Sequence, residues 1–382
     1  MKKALAIACA AAVCCKLGTK KCYAWGGVTH RDIISKSLAL LDKDKKPKVS
    51  AFFKNYHKQL EDGCTAPDSG EDIDCGAGMH YYSCSNPRGK ELPQTSGYYK
   101  DRLGRFLPSA RTLMEQNYTS AVSLYKAGKK EEAMTCFARA AHFVSDMGCP
   151  VHVSNIRCID RRGNIHYSFE KHAKTTCTVY SAESFDRRLS KYYEKDTFEE
   201  ALNKLVNFSA KYVKMVRSLD PLQFDDIESN TITYTQQNVT ALMIRFYNDC
   251  TGDNGNYIPD NKMCSIKSSY SGLSLTGTNK GLRLEELNKD LEQKFRIVWN
   301  NDGSFCLKTA DGNLVAKNLC GYVKPDSEHE PAKFRAICTG KRQFIITVGS
   351  KEYKKVLRCS DSGKLEIKKF DPKRRSNLWV IN

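Results

Sequence analysis

Five side chains that bind divalent metals crowd into the 29 residues from His142 to Glu170, and their spacing restricts how the chain can fold. His142 and Asp146 stand four apart in His142-Phe-Val-Ser-Asp146, and His166 and Glu170 stand four apart in His166-Tyr-Ser-Phe-Glu170. On a helix each pair projects from one face. Helix formers lead into the first pair from Lys129 onward. Pro150 follows soon after it, which ends that helix and delivers His152 from a turn. One such pair is usually a solvated helix surface; two pairs with a third histidine between them are a metal site. Imidazole and carboxylate without thiolate suit zinc or a similar borderline ion in a catalytic rather than structural role. The fold must therefore gather two helices and a turn around more than one ion.

At 382 residues the chain is long enough for two domains, and 41% hydrophobic content supports sizeable cores. Residues 1–24 read as a secretory signal peptide or propeptide: Lys2 and Lys3, then an apolar run from Ala4 to Cys15, then a basic stretch. A cut after Ala24, with Cys22 and Ala24 as the small residues, leaves Trp25 first. Beyond the leader no apolar run is long enough to cross a bilayer. Secretion is the expectation. Thirteen cysteines remain in the body, none spaced Cys-x-x-Cys, so a zinc ribbon or dithiol redox motif is excluded. Behind a leader such scattered cysteines read as disulfides, with at least one thiol left over. Asn117, Asn207 and Asn238 lie in glycosylation sequons.

The chain changes character near residue 255. Before it, residues 32–41, 110–126, 131–145, 184–193, 197–219 and 233–247 carry apolar side chains at helical spacing. A turn-rich segment follows, and beyond it short strands are separated by Asn-Asp-Gly, Asp-Gly-Asn and Asp-Ser-Gly turns. The expected domains are 25–255 (helical, with the metal site), a linker at 256–262 and a β domain at 263–382. Phe295, Phe334 and Trp379 recur at intervals of 39 and 45 residues in similar settings. That weak threefold repeat resembles a ricin-B-type β-trefoil, with a β-sandwich as the alternative. Charge divides at the same point: residues 263–382 hold 23 Lys/Arg against 13 Asp/Glu, most of the excess once the leader's five lysines are removed. Such a module could bind an anionic membrane surface, a glycan or nucleic acid, or simply present a solvated basic face.

Further ligands lie upstream: His30 five residues after Trp25, Asp68 after Pro67, and His80 twelve residues beyond Asp68. Trp25-Gly-Gly-Val-Thr-His30, Pro67-Asp68 with His80, His142-x-x-x-Asp146-x-x-x-Pro150-x-His152 and His166-x-x-x-Glu170 together resemble the zinc-dependent phospholipase C family of clostridial alpha-toxins and bacillar phosphatidylcholine-preferring enzymes. The resemblance covers about residues 25–250. It implies a mostly α catalytic domain with three zinc ions. One would be held by Asp68, His80, His142 and Asp146. A second would be held by His30, the Trp25 α-amine and carbonyl, and a bridging Asp146. The third would be held by His152, His166 and Glu170. It also implies Asp68 as proton acceptor, phospholipid membranes as substrate, and release of diacylglycerol and a phosphorylated head group.

The related single-strand nucleases and 3′-nucleotidases share this ligand set and the five-residue interval from tryptophan to histidine. Against them stand the 14-residue gap from His152 to His166, the terminal Glu170 rather than aspartate, and the 12-residue gap from Asp68 to His80. A secreted, non-catalytic lectin on a decayed metal scaffold is the reading of another class, and it is disfavoured because no ligand position is lost. Val28 stands where some family members carry an acidic residue for choline, so head-group preference is left open.

Overall fold

The computed structural model describes residues 25–69, 72, 74, 79–83, 99–100, 106–154, 156, 164–252, 255–278, 281–288, 290–317, 322–323, 330–349, 355–371 and 374–382. The leader at 1–24 lies outside them, as do Cys75, Cys84, Cys158 and Cys320. A mostly helical N-terminal domain is followed by an all-β C-terminal domain.

The helical part contains α1 (Gly26–Lys43), α2 (Pro47–Lys54), α3 (His57–Thr65), α4 (Ala110–Lys126), α5 (Lys130–Gly148), α6 (Ile165–Thr176), α7 (Arg188–Tyr193), α8 (Glu199–Ala210), α9 (Val213–Val216) and α10 (Pro221–Thr251). A short hairpin, β1 (Tyr99–Lys100) with β2 (Phe106–Leu107), lies between α3 and α4. Helix α4 starts where Ser109 and Thr112 form a capping box that satisfies free amides of its first turn. Glu131 and Glu132 occupy the first turn of α5, where the helix dipole favours negative charge. Helix α5 stops at Gly148, before Pro150, as the sequence requires. The span expected as one helix over 197–219 is two, α8 and α9, broken at Lys211 and Tyr212. Helix α10 begins well before the expected 233, at Asp220, whose side chain caps Leu222 ahead of Pro221.

Helices α4 and α5 form an antiparallel pair joined through Gly128, whose φ of +84° suits a residue without a Cβ. Helix α4 is buried on all sides from Ala110 to Leu124 although it carries Gln116, Asn117, Thr119, Ser120 and Ser123. Its apolar side packs on α5 and α10, and its polar side meets the β domain.

The β domain contains β3 (Met263–Cys264), β4 (Ile266–Ser268), β5 (Ser274–Thr278), β6 (Gly281–Glu285), β7 (Phe295–Trp299), β8 (Phe305–Thr309), β9 (Leu314–Val315), β10 (Tyr322–Val323), β11 (Phe334–Cys338), β12 (Gln343–Val348), β13 (Lys355–Cys359), β14 (Leu365–Lys369) and β15 (Leu378–Ile381). All pairings are antiparallel. β5–β6, β9–β10 and β13–β14 are hairpins, while β3–β7, β7–β8, β8–β11, β11–β12, β12–β15 and β15–β4 link the rest. The three repeated aromatics Phe295, Phe334 and Trp379 are fully buried.

The two domains share one apolar core, which runs from Trp25 to Trp379. Polar bonds from α4 stitch them together: Gln116 Nε2 donates to Thr347 Oγ1 (3.1 Å), Ser120 Oγ to the Gly303 carbonyl (2.7 Å), and the Cys338 amide to Thr119 Oγ1 (3.0 Å). The connecting segment is pinned as well. The Ile258 amide donates to Ser123 Oγ, and Lys129 pairs with Asp260 at 3.3 Å.

Two sequence expectations need correction. Among the described residues no disulfide is found: Cys64, Cys136, Cys149, Cys177, Cys250, Cys264, Cys306, Cys338 and Cys359 are all free thiols. All but Cys338 are buried, behaving as small apolar side chains packed into the core. Asn117 and Asn238 are about 1% exposed and hydrogen-bonded inside the helical domain, so of the three sequons only Asn207 is accessible.

Candidate metal centre

Every metal-binding side chain picked from the sequence faces one buried region. His30 comes from α1, Asp68 from the end of a 3-10 turn (Ala66–Asp68), and His80 from a turn beside Tyr81. His142 and Asp146 lie on successive turns of α5, His152 in the turn after it, and His166 and Glu170 on α6. They form two foci.

At the first, Asp146 is central. Its Oδ2 lies 2.8 Å from His80 Nδ1 and 3.3 Å from His142 Nε2, and its Oδ1 lies 3.6 Å from His30 Nε2. Asp68 approaches His142 at 3.8 Å, His30 at 3.9 Å and His80 at 4.0 Å. The His30 and His142 rings stack with centroids 4.0 Å apart. At the second, Glu170 Oε1 is 2.6 Å from His166 Nε2 and 3.2 Å from His152 Nε2.

The far sides of these imidazoles are tied down. His142 Nδ1 donates to the Cys64 carbonyl at 2.8 Å, His152 Nδ1 to the His80 carbonyl at 2.8 Å, and His166 Nδ1 to the Ile156 carbonyl at 2.5 Å. Each bond holds its ring with Nε2 turned to the focus, as in histidine metal sites. Tyr81 adds a wall, its ring stacked 4.7 Å from that of His152.

The acids show what the first focus lacks. Both Asp68 carboxylate oxygens and Asp146 Oδ1 are buried and accept no hydrogen bond. Buried carboxylate oxygens are normally paired, so this donor set fits cations. Charge points the same way. Burial pushes Asp68 up to about 6, against the pull of His142 and His80. Burial also opposes ionisation of Asp146, but His142 and His80 hold it well below the usual carboxylate range. For His142 burial works downward, yet Asp146 and Asp68 lift it to about 9. The focus thus demands positive charge, which zinc supplies without protons.

Three groups of ligand atoms, each within 4.8 Å of one another, emerge here: His30, His142 and Asp146; Asp68, His80 and His142; His152, His166 and Glu170. A fourth, His172, Asp225 and Glu228, lies outside the centre. Its atoms are already engaged, with His172 Nδ1 on Glu228 (3.0 Å), Thr176 Oγ1 on Glu228 and Tyr180 OH on Asp225 (2.6 Å), so it is a hydrogen-bond network.

Trp25 sits at the N-cap of α1, fully buried in the left-handed region (φ 45°). Its indole Nε1 donates to the Ser145 carbonyl at 2.8 Å, and its ring lies 5.6 Å from Phe169. Those neighbours immediately precede Asp146 and Glu170. Sequence reasoning missed Asp72, Asp74 and Arg139. Asp74 is fully buried and binds Arg139, while Asp72 accepts from both Arg139 amino groups. Their only signal in the sequence is an acid-rich stretch.

A buried histidine–carboxylate centre of this kind, on a helical scaffold, defines a multinuclear metallohydrolase. The zinc dependent phospholipase C family profile matches residues 29–219, half of the chain, and the protein belongs to that family. It is a zinc-dependent phosphodiester hydrolase. A "Phospholipase C" of Paraclostridium bifermentans is 23% identical over 392 aligned residues, covering 89% of this chain and 94% of that protein. Among solved structures, the alpha toxin of Clostridium absonum is 16% identical with a TM-score of 0.49, covering 95% of this chain and 97% of that one. The Clostridium perfringens alpha-toxin from an avian strain is also 16% identical, with a TM-score of 0.48 and coverage of 96% and 98%.

Proposed function

We propose that the protein is a secreted phospholipase C that holds three zinc ions and hydrolyses glycerophospholipids to diacylglycerol and a phosphorylated head group. The observation that carries this reading is the set of orphaned Asp68 and Asp146 oxygens amid oriented imidazoles, in a chain of this family. Asp68, His80, His142 and Asp146 would hold one ion. Asp146 and His30, with the α-amine and carbonyl of a mature N-terminal Trp25, would hold the second. His152, His166 and Glu170 would hold the third. Zinc bound there would acidify a water for in-line attack on phosphorus and offset charge on the phosphate and departing alkoxide. Asp146, with one oxygen toward His30 and the other toward His80 and His142, would be shared by the first two ions. Asp68, beside the first two positions, would accept the attacking water's proton, the role the family resemblance implies for it. The Trp25 indole is lodged beside Ser145 and Phe169, next in sequence to Asp146 and Glu170, which supports a mature N-terminus at this centre.

We divide the chain into a leader (1–24), a catalytic domain (25–255), a connector (256–262) and a basic β domain (263–382), and read the last as a β-trefoil. If β3 and β4 count as one strand interrupted at Ser265, the pairings run β3/β4–β7–β8–β11–β12–β15 and back, with one hairpin added in each third. That supports the trefoil over the sandwich. Exposed Lys364, Lys368, Lys369, Arg374 and Arg375 suit an anionic membrane or a sulfated glycan. Each would add about 1 kcal/mol near an anionic bilayer.

His142→Ala should abolish chelator-sensitive diacylglycerol release and lower bound zinc, whereas His57→Ala, at an exposed site outside the centre, should leave both unchanged. Unaltered zinc content in His142→Ala would refute the assignment. The Trp25-to-His30 interval keeps the single-strand nuclease as the second reading, and hydrolysis of DNA in place of lipid would establish it.

A further inference from the structure

Two ligands of the first focus, Asp68 and His80, are joined through a stretch that contains Asp72 and Asp74. Asp74 is the stretch's buried anchor. Its Oδ2 accepts from Arg139 Nη2 (2.9 Å) and Asn117 Nδ2 (3.0 Å), and its Oδ1 from Arg335 Nη1 (2.9 Å). Arg139 belongs to α5, one turn before His142. Arg335 belongs to β11 of the other domain and is about 1% exposed. Its Nη2 donates to the Asp302 carbonyl at 2.9 Å, which locks the guanidinium to the β domain. One carboxylate thus ties the ligand-bearing stretch to the catalytic helix and to the β domain together.

Other polar contacts across the domain boundary, from α4 and from Lys129 to the Trp299 carbonyl, bypass this stretch. If the β domain only had to stay attached, they and the shared core would suffice. A buried guanidinium aimed at Asp74 does something different, because it restrains the segment on which two ligands of one ion depend. Charge-assisted bonds of this geometry are the stronger class and fix direction as well as distance.

We propose that Arg335 is a positioning residue for the metal centre, through which the β domain sets how firmly the Asp68–His80 pair holds its ion. The claim rests on the ligand assignment above. Outer partners that orient metal ligands change metal affinity by roughly 10–100-fold when removed, and Arg335 acts one step further out, through Asp74.

The test is zinc retention in the full-length protein during titration with a competing chelator, counted by elemental mass spectrometry, with melting temperature recorded in parallel. Arg335→Ala should release one zinc equivalent at a chelator concentration about tenfold below that needed for the wild type. Arg335→Lys, which keeps the charge but not the two-pronged reach, should fall between. Lys129→Ala removes the cross-domain bond to the Trp299 carbonyl, ten residues before Arg139 on the chain, so it should lower the melting temperature without changing zinc release. His80→Ala controls the assignment itself: undiminished zinc there would remove the premise, whereas a lost ion with wild-type retention in Arg335→Ala would refute the positioning role alone. Equal zinc loss in Lys129→Ala would also overturn it. If Arg335→Ala does not fold, Arg335→Lys decides, and retention equal to wild type counts against the proposal.

Discussion

Replacing Asp74 by Asn keeps the shape of the side chain and removes the charge that pairs two buried guanidiniums. Arg139 retains Asp72, while Arg335 loses the Asp74 charge and keeps the Asp302 carbonyl. Breaking a buried pair in this way costs about 3–5 kcal/mol, a large share of the roughly 5–15 kcal/mol that holds most domains folded. The pH dependence has a definite sign. Burial alone would raise the Asp74 carboxyl, yet Arg335 and Arg139 outweigh it and hold the group well below the usual carboxylate range. A group depressed on folding contributes stability that is complete above its unfolded value, near ~3.9. That contribution is lost as pH falls through the folded value. Urea unfolding of metal-free wild type and Asp74→Asn between pH 7 and pH 2 separates this term from zinc release. The gap should stay constant from pH 7 to about 5 and shrink below about 4 as the wild type takes up the proton. A gap under about 1 kcal/mol at pH 7, or one that widens in acid, would refute the reasoning.

Two shorter predictions follow from the same geometry. A protein retaining one residue before Trp25 should bind two zinc ions instead of three and turn over poorly, because an amide nitrogen cannot replace an amine ligand; full zinc by mass spectrometry would contradict this. A chain ending at residue 255 leaves the polar face of α4 and the Asp74 cluster in water, so it should be protease-sensitive and lose hydrolysis of a soluble short-chain lipid as well as of vesicles. Wild-type activity on the soluble lipid would instead make the β domain a detachable targeting module.

The legible part of the chain was the part governed by local spacing. Helix α4 begins and ends at the expected residues because Ser109 caps one end and Gly128 turns the other. The clustering of His142, Asp146, His152, His166 and Glu170 was readable because two i,i+4 pairs and a proline-ended helix leave few alternatives, whereas His30, Asp68 and His80 gained meaning only from the family resemblance. Helices α2 and α3 escaped notice because they are short and rich in Lys, Glu and Gln, with only a few buried residues each. That the polar face of α4 is buried on the β domain has no signal in its own spacing. Asp74 and Arg335 are 261 residues apart, and no periodicity connects them. The cysteines misled for a different reason: position behind a leader suggests disulfides, but burial in a large core serves single thiols equally well.

The most direct measurement is product analysis of zinc-loaded protein beginning at Trp25, incubated in parallel with mixed glycerophospholipid vesicles and with single-stranded DNA. The account predicts diacylglycerol and phosphorylated head groups from the vesicles, abolished by a chelator and restored by zinc, with DNA left intact. Nucleotides released from DNA while the vesicles remain whole would contradict it.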